Sequence, residues 1–196
     1  MPWLIFAVVL WGVIHSFTAS LGFKNFLRRT LGDGFMRGYR LLYNLFSAVS
    51  LTPILYLMLI LPDRDLYQVP SPWNALMFTG QALSTILLGV AVLQTDPLSF
   101  VGLRQLFEQE TPGGLVTGGF YRYMRHPLYT FGLLILWLSP RVTLNSFIVY
   151  LSLTAYILIG AYFEERKLLR EFGQAYADYK AATPMLLPRL RRGGNK

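Results

Sequence analysis

Three short stretches of this chain hold residue types whose spacing can do chemistry. The first is Tyr121-Arg122-Tyr123-Met124-Arg125-His126-Pro127-Leu128-Tyr129. Pro127 suits the first turn of a helix, and the residue before it, His126, is pushed toward an extended conformation. His126 and Arg125 then stand at a helix mouth. Such a mouth favours anions, and an arginine adds a bidentate clamp for carboxylate or phosphate. Read more plainly, Arg122 and Arg125 are topology charges at a membrane surface. The second stretch is Glu164-Glu165, directly after a long uncharged run. Glu164 has Lys167 one turn on, a pairing worth ~0.2–0.5 kcal/mol. Glu165 has Leu168 and Leu169 at those spacings and no such partner. Carboxylates placed there suit a cationic ligand. The third stretch is two glycine pairs, Gly113-Gly114 and Gly118-Gly119, around Leu-Val-Thr. Glycine lets a backbone turn sharply and approach a ligand closely. No Gly-Lys-Ser/Thr follows, and no strand–turn–helix context exists, so neither a Walker loop nor a dinucleotide fingerprint is present.

The elements that must position these groups are membrane helices. Hydrophobic residues make up 54% of the 196 and charged residues 14%, against roughly 25% charged in soluble proteins. Residues 3–23, 41–62, 66–95, 127–140 and 142–163 carry no charge. Four of these runs reach the ~20 residues that a helix needs to cross a bilayer. The run 127–140 is shorter and ends in Ser139-Pro140. Residues 3–23 lack the basic lead-in of a signal peptide and read as a retained helix. Sixteen of the eighteen Lys and Arg fall in alternate loops and the tail, a strong positive-inside pattern. It predicts an all-α polytopic protein of about five spans, N-terminus outside and C-terminus inside. Residues 1–93 form a three-helix scaffold and 94–196 a loop, a hairpin and a closing helix, taken together as one structural domain.

The same pattern explains the net charge of +8 without nucleic acid, for which no zinc finger or base-stacking motif speaks. There is no cysteine, hence no disulfide and no thiol nucleophile. The two histidines, His15 and His126, are too few for a histidine-rich metal site. His15 lies mid-span, where an ionisable group is a functional candidate by default. The plainer reading is a neutral ring hydrogen-bonded to a neighbouring helix, with Asn44 as a partner. The segment after span 5, RKLLREFGQAYADYK, places Leu168, Phe172, Tyr176 and Tyr179 near one face. It is expected to lie on the inner leaflet or against the loop, with Gly173 as a break point.

Only Pro140-Arg141 joins spans 4 and 5, so they form a hairpin. The mouth of span 4 (Arg125, His126) and the end of span 5 (Glu164, Glu165) must then lie on one side. Anion-binding and cation-binding groups would meet beside the glycine-rich loop. That fits a zwitterion with an added positive centre, and S-adenosylmethionine is such a ligand.

Taken together, GGLVTGGFYRYMRHPLYTFG, the hairpin, FEERKLLREFGQAYADYK and ATPMLLP resemble the catalytic region of the isoprenylcysteine carboxyl methyltransferase-like superfamily, which includes phospholipid methyltransferases. The resemblance covers roughly residues 94–188. SFVGLRQ, WLSPRVTLN and PMLLP are closer to its methanethiol S-methyltransferase-like branch. The front half, with His15-Ser16 and YRLLYN, is similar to that branch and to related denitrification-associated membrane proteins. The resemblance implies an integral membrane enzyme that uses S-adenosylmethionine in a pocket facing the cytoplasm; the short length and the lack of an organellar targeting signal point to a bacterial inner membrane. It nominates Gly113, Gly114, Leu115, Val116, Tyr121, His126, Pro127, Leu128, Tyr129, Glu164 and Glu165 for the cofactor, with Glu165 on its amine. Arg125, His126 and Glu165 are the expected catalytic set. Gln94 and Arg104 are candidates to line the path of the acceptor. Prenylcysteine methyltransferases carry an arginine one turn before Glu-Glu; here that region is Gly160-Ala161-Tyr162. This counts against a prenylcysteine carboxylate and favours a smaller or neutral acceptor; the expected acceptor is small or lipophilic, the thiol or carboxyl of a small thiol or a prenylcysteine-like substrate. Rival readings are a phospholipid N-methyltransferase and a non-enzymatic carrier or assembly factor.

Overall fold

The computed structural model describes residues 2–108 and 114–188. In chain order these form helices α1 (Pro2–Ala19), α2 (Leu21–Ser50) and α3 (Thr52–Ile60), strand β1 (Asp65–Gln68), and helices α4 (Trp73–Leu93), α5 (Pro97–Val101) and α6 (Arg104–Phe107). A 3-10 turn at Gly119–Arg122, helix α7 (Pro127–Trp137), strand β2 (Arg141–Thr143), α8 (Leu144–Phe172) and α9 (Gln174–Ala182) follow. Among the described residues, four helical stretches are long and apolar enough to cross a membrane: Pro2–Ala19, Leu21–Ile60, Trp73–Leu93 and Leu144–Phe172. Pro127–Trp137 is a shorter apolar helix. No more than 17% of any of the four apolar windows is buried inside the protein. Side chains such as Leu59 and Leu93 are open on the outside. Faces this apolar need a hydrocarbon solvent.

The chain divides into two compact units. The first comprises Met1–Val69, Asp96–Pro112 and Arg141–Leu153. Its core joins Leu4 and Val8 of α1, Ile54 of α3 and Val149 of α8. Residues 24–40, the charged segment between the first two uncharged runs, are helical. α2 runs through them and bends at Gly32, whose φ is 78°. Lys24, Arg28 and Arg29 are spaced for one helix face, so charge here marks an amphipathic turn and not a break. The Trp11 indole donates to Ser50 Oγ at 3.0 Å. The His15 ring packs against Trp11 and hydrogen-bonds the Tyr43 hydroxyl at 2.9 Å. Tyr43, and not the neighbouring Asn44, therefore meets His15; one residue turns a helix by about 100°. Asn44 instead donates to the carbonyls of Phe100 and Val101 at 3.1 and 2.7 Å.

A two-stranded antiparallel ribbon, absent from the sequence expectation, pairs β1 with β2. Arg141 clamps Asp65 at 2.6 and 3.2 Å. Asp63 accepts the Asn145 N–H at 3.0 Å and so caps the start of α8. Burial raises the Asp63 carboxyl pKa, but hydrogen bonds from Thr143 and from the N–H groups of Asn145, Arg64 and Leu144 outweigh it. Its net shift is below the ordinary value.

The second unit comprises Pro70–Thr95, Gly113–Pro140 and Thr154–Lys196. Here α4 packs along α7. The Gln81 amide donates to Ile135 O at 2.7 Å. Gly80 lies so near Leu138 that a Cβ would sit 2.9 Å from its methyl carbon. The Trp137 indole donates to Thr154 Oγ1 of α8 at 3.0 Å, holding the hairpin. α8 ends at Phe172, and Gly173, with φ of 54°, turns the chain into α9.

Candidate active site

The groups that sequence spacing placed on one side of the hairpin meet within the second unit. Pro127 opens α7 at the first turn, which leaves Arg125 and His126 in the incoming loop. That loop is held by the segment after α9: Arg125 N–H donates to Pro184 O at 2.9 Å and His126 N–H to Met185 O at 3.1 Å. Thr130 Oγ1 adds a bond to Leu186 O at 2.9 Å. Glu165, on the last turns of α8, faces this loop and is almost fully buried. Its Oε1 accepts Arg125 Nε at 2.7 Å and lies 3.3 Å from His126 Nε2. Its Oε2 meets Lys180 Nζ of α9 at 2.7 Å. The Arg125 guanidinium also donates to the carbonyls of Lys180 and Thr183. A buried carboxylate needs such partners, since an unpaired one would be driven to its neutral form.

Glu164 is different. Its side chain is 44% exposed. Its Oε2 accepts the Tyr129 hydroxyl at 2.7 Å and lies 3.8 Å from His126 Nδ1. The buried His126 ring thus stands between two carboxylates, one saturated and one half open, and stacks on Tyr129 at 5.2 Å and 13°. The Tyr179 hydroxyl donates to Tyr121 O at 2.5 Å. Burial, with the Glu164 charge adding, pushes the Tyr121 phenol up to about 12. Burial likewise takes Tyr179 to about 12. Both remain neutral hydroxyls at any physiological pH. Beside Tyr179 a cavity of about 460 Å³ is lined by Arg122, Thr117, Tyr123 and Thr183.

The family described as NnrU protein matches residues 3–191. The chain belongs to the NnrU family. It is 31% identical to the methanethiol S-methyltransferase of Pseudomonas deceptionensis over 194 residues, covering 96% of this chain and 72% of the relative. It is 32% identical to methanethiol S-methyltransferase 2 of Bradyrhizobium diazoefficiens over 197 residues, 92% and 70% of the two chains. It is 30% identical to the methanethiol S-methyltransferase of Mycobacterium tuberculosis over 195 residues, 92% and 76% of the two. No solved structure matches.

In this NnrU-family chain the nominated residues fall into three groups. Arg125, His126, Tyr129, Glu164 and Glu165 come together, with Tyr121 bound to α9 beside them and Pro127 and Leu128 forming the first turn of α7. Gly114, Leu115 and Val116 lie on the loop leading to the 3-10 turn; Gly113 is outside the described residues. Gln94 and Arg104 hold structure. Gln94 Oε1 accepts the Phe120 N–H at 2.8 Å. Gly119, at φ of 57°, leaves room for it where a Cβ would collide with the Gln94 amide. Arg104, in the first unit, pairs with Asp96 at 3.0 Å and Glu108 at 3.8 Å. Sequence reasoning missed Lys180 and the carbonyls of Thr183 to Leu186. Their signal was the FGQAYADYK–ATPMLLP segment. It was read for its apolar face, which does dock on the loop through Tyr179.

Proposed function

We propose that this chain is a membrane methyltransferase that moves a methyl group from S-adenosylmethionine to a small thiol. The observation that carries the reading is the pair of unequal carboxylates around His126, in a chain of which 96% aligns with a protein named methanethiol S-methyltransferase. The residues fit the cofactor's charges. Glu164 is half open, has the Tyr129 hydroxyl as an orienting donor, and can receive an ammonium group. Arg122, on the cavity beside Tyr179, can receive a carboxylate. Glu165 was the sequence's nominee for the amine, but its two oxygens already serve Arg125, His126 and Lys180. In this reading Glu165 fixes the site, and Glu164 takes the amine.

When bound, S-adenosylmethionine supplies a sulfonium methyl to the acceptor sulfur, whose thiol proton must leave. A free thiol has a pKa near 8.5, so a base helps. Glu165 Oε1 is placed to hold a hydrogen on His126 Nε2, which frees Nδ1 for that proton. Arg125 locks Glu165, and Tyr129 locks the imidazole plane. Much of the rate would come from this alignment. Ala161, one turn before Glu165, is fully buried. The residues one turn before Glu-Glu are Gly160, Ala161 and Tyr162, so no arginine stands there to bind a prenylcysteine carboxylate, which supports a compact acceptor. The alternating Lys and Arg pattern supports a site on the cytoplasmic side of a bacterial inner membrane, with the N-terminus outside.

Titration of S-adenosylhomocysteine into purified protein tests the cofactor site. Wild type should bind saturably and Glu164→Gln at least ten-fold more weakly. A folded wild type that does not bind overturns the reading. Labelled methyl groups should then appear in a volatile thioether when methanethiol is supplied. Label in lipid amines would move the assignment to phospholipids.

A further inference from the structure

Residues Leu21 to Leu31 form a helix of about three turns in their own right. Ser20 starts it: the backbone there is extended, and the hydroxyl accepts the Phe23 N–H at 3.2 Å. Gly32, with φ of 78° and ψ of 173°, ends it. At about 100° per residue, Phe23, Phe26, Leu27 and Leu31 fall on one side. Lys24, Asn25, Arg28 and Arg29 fall on the other. The protein covers only part of the apolar side. Phe23 packs on Phe17 and Tyr39, with ring centres at 4.9 and 6.5 Å. Phe26 is 61% exposed and Leu31 51%.

We infer that this helix lies flat in the headgroup layer and recognises an anionic phospholipid surface. Two observations choose that occupant. The helix follows the apolar span α1 and is itself the start of the apolar Leu21–Ile60 stretch, so it adjoins segments that need hydrocarbon on both sides. Its own position is therefore the membrane boundary. Its polar face is cationic, and Arg37 and Arg40 follow after the bend. Asp33, beside the bend, is largely exposed and meets Arg28 at 3.2 Å, so the balance stays positive. An amphipathic helix with this division buries its apolar face below the headgroups and sets its cations among the phosphates. Phe26 and Leu31 then find lipid, and Arg28 and Arg29 lie at the level of the phosphates.

The chain has no cysteine, so Phe26→Cys gives a single site for a nitroxide label on the full-length protein. The protein is placed in nanodiscs of phosphatidylcholine, with or without phosphatidylglycerol. The label should be accessible to oxygen and shielded from a water-soluble nickel chelate. In parallel, phosphatidylglycerol retained through delipidation is counted by native mass spectrometry. The Lys24→Gln, Arg28→Gln, Arg29→Gln variant should lose roughly ten-fold or more of that retention. Arg28→Lys, Arg29→Lys should keep it, because the charge is kept. A label open to the nickel chelate overturns the proposal. So does one hidden from both reagents with dipolar broadening, the mark of a second copy. Equal lipid retention by the triple Gln variant overturns it too.

Discussion

Arg125 and Lys180 both hold Glu165, yet they differ in what their loss exposes. The Arg125 side chain is 10% exposed, and it satisfies two backbone carbonyls besides the carboxylate. Arg125→Ala leaves a buried charge and buried carbonyls unpaired, a loss of about 3–5 kcal/mol. It is expected to show as a large fall in thermal midpoint in detergent. Lys180 is 41% exposed, and water replaces much of what it gives. Lys180→Ala should cost about 1 kcal/mol or less in stability. It should still slow methyl transfer by loosening Glu165 and, through it, His126. Lys180→Arg should restore much of the turnover; unchanged turnover in Lys180→Ala, with the fold intact, would mean that Lys180 is only a surface charge. The meeting of Arg125 and His126 with Glu164 and Glu165 was legible in the sequence. A hairpin with almost no connecting loop leaves helix ends nowhere else to go. Lys180 was not legible, because its reach to Glu165 depends on the turn at Gly173, and sequence spacing does not carry that angle.

Elements meet closely where side chains are small. Gly80 lets α4 approach Leu138 at the end of α7. Gly80→Val forces the two helices apart or Leu138 out of its rotamer, at about 1–3 kcal/mol. Reduced melting with cofactor affinity only modestly changed would place the damage in the packing. The spans were read well from uncharged runs, because hydrocarbon solvent allows few charges along a helix. The helix through residues 24–40 was not legible, since a charged amphipathic turn and a charged loop have similar composition. The β1–β2 ribbon is too short to show alternation. At its edge, the Asp63 cap gives a pH signature. Its carboxyl pKa lies below the ordinary 3.8 in the folded chain. The stabilisation is therefore fully present above about pH 4 and is lost as pH falls through the folded value. Hydrogen exchange at the Asn145 amide should quicken on acidification below that range. Asp63→Asn should remove most of this dependence.

At the scale of the whole molecule, the C-terminal residues complete a site begun sixty residues earlier. Pro184 and Met185 supply acceptors for the Arg125 and His126 N–H groups. A chain stopped after Ala182 keeps every long apolar helix but leaves those donors open. It should still enter membranes and should lose binding of S-adenosylhomocysteine. Retained binding would show that the closing segment is dispensable.

The first unit's core draws on Leu4, Val8, Ile54 and Val149, and its three segments are separated in the chain by parts of the second. Biogenesis must respect that interleaving. As the chain leaves the ribosome, α1 to α3 reach the bilayer long before Val149 exists. Asp63 likewise waits for the Asn145 amide that it will cap. The early helices thus spend most of synthesis inserted but not yet joined by their last core partner. They depend on lipid, or on insertion machinery, to hold them until α8 arrives.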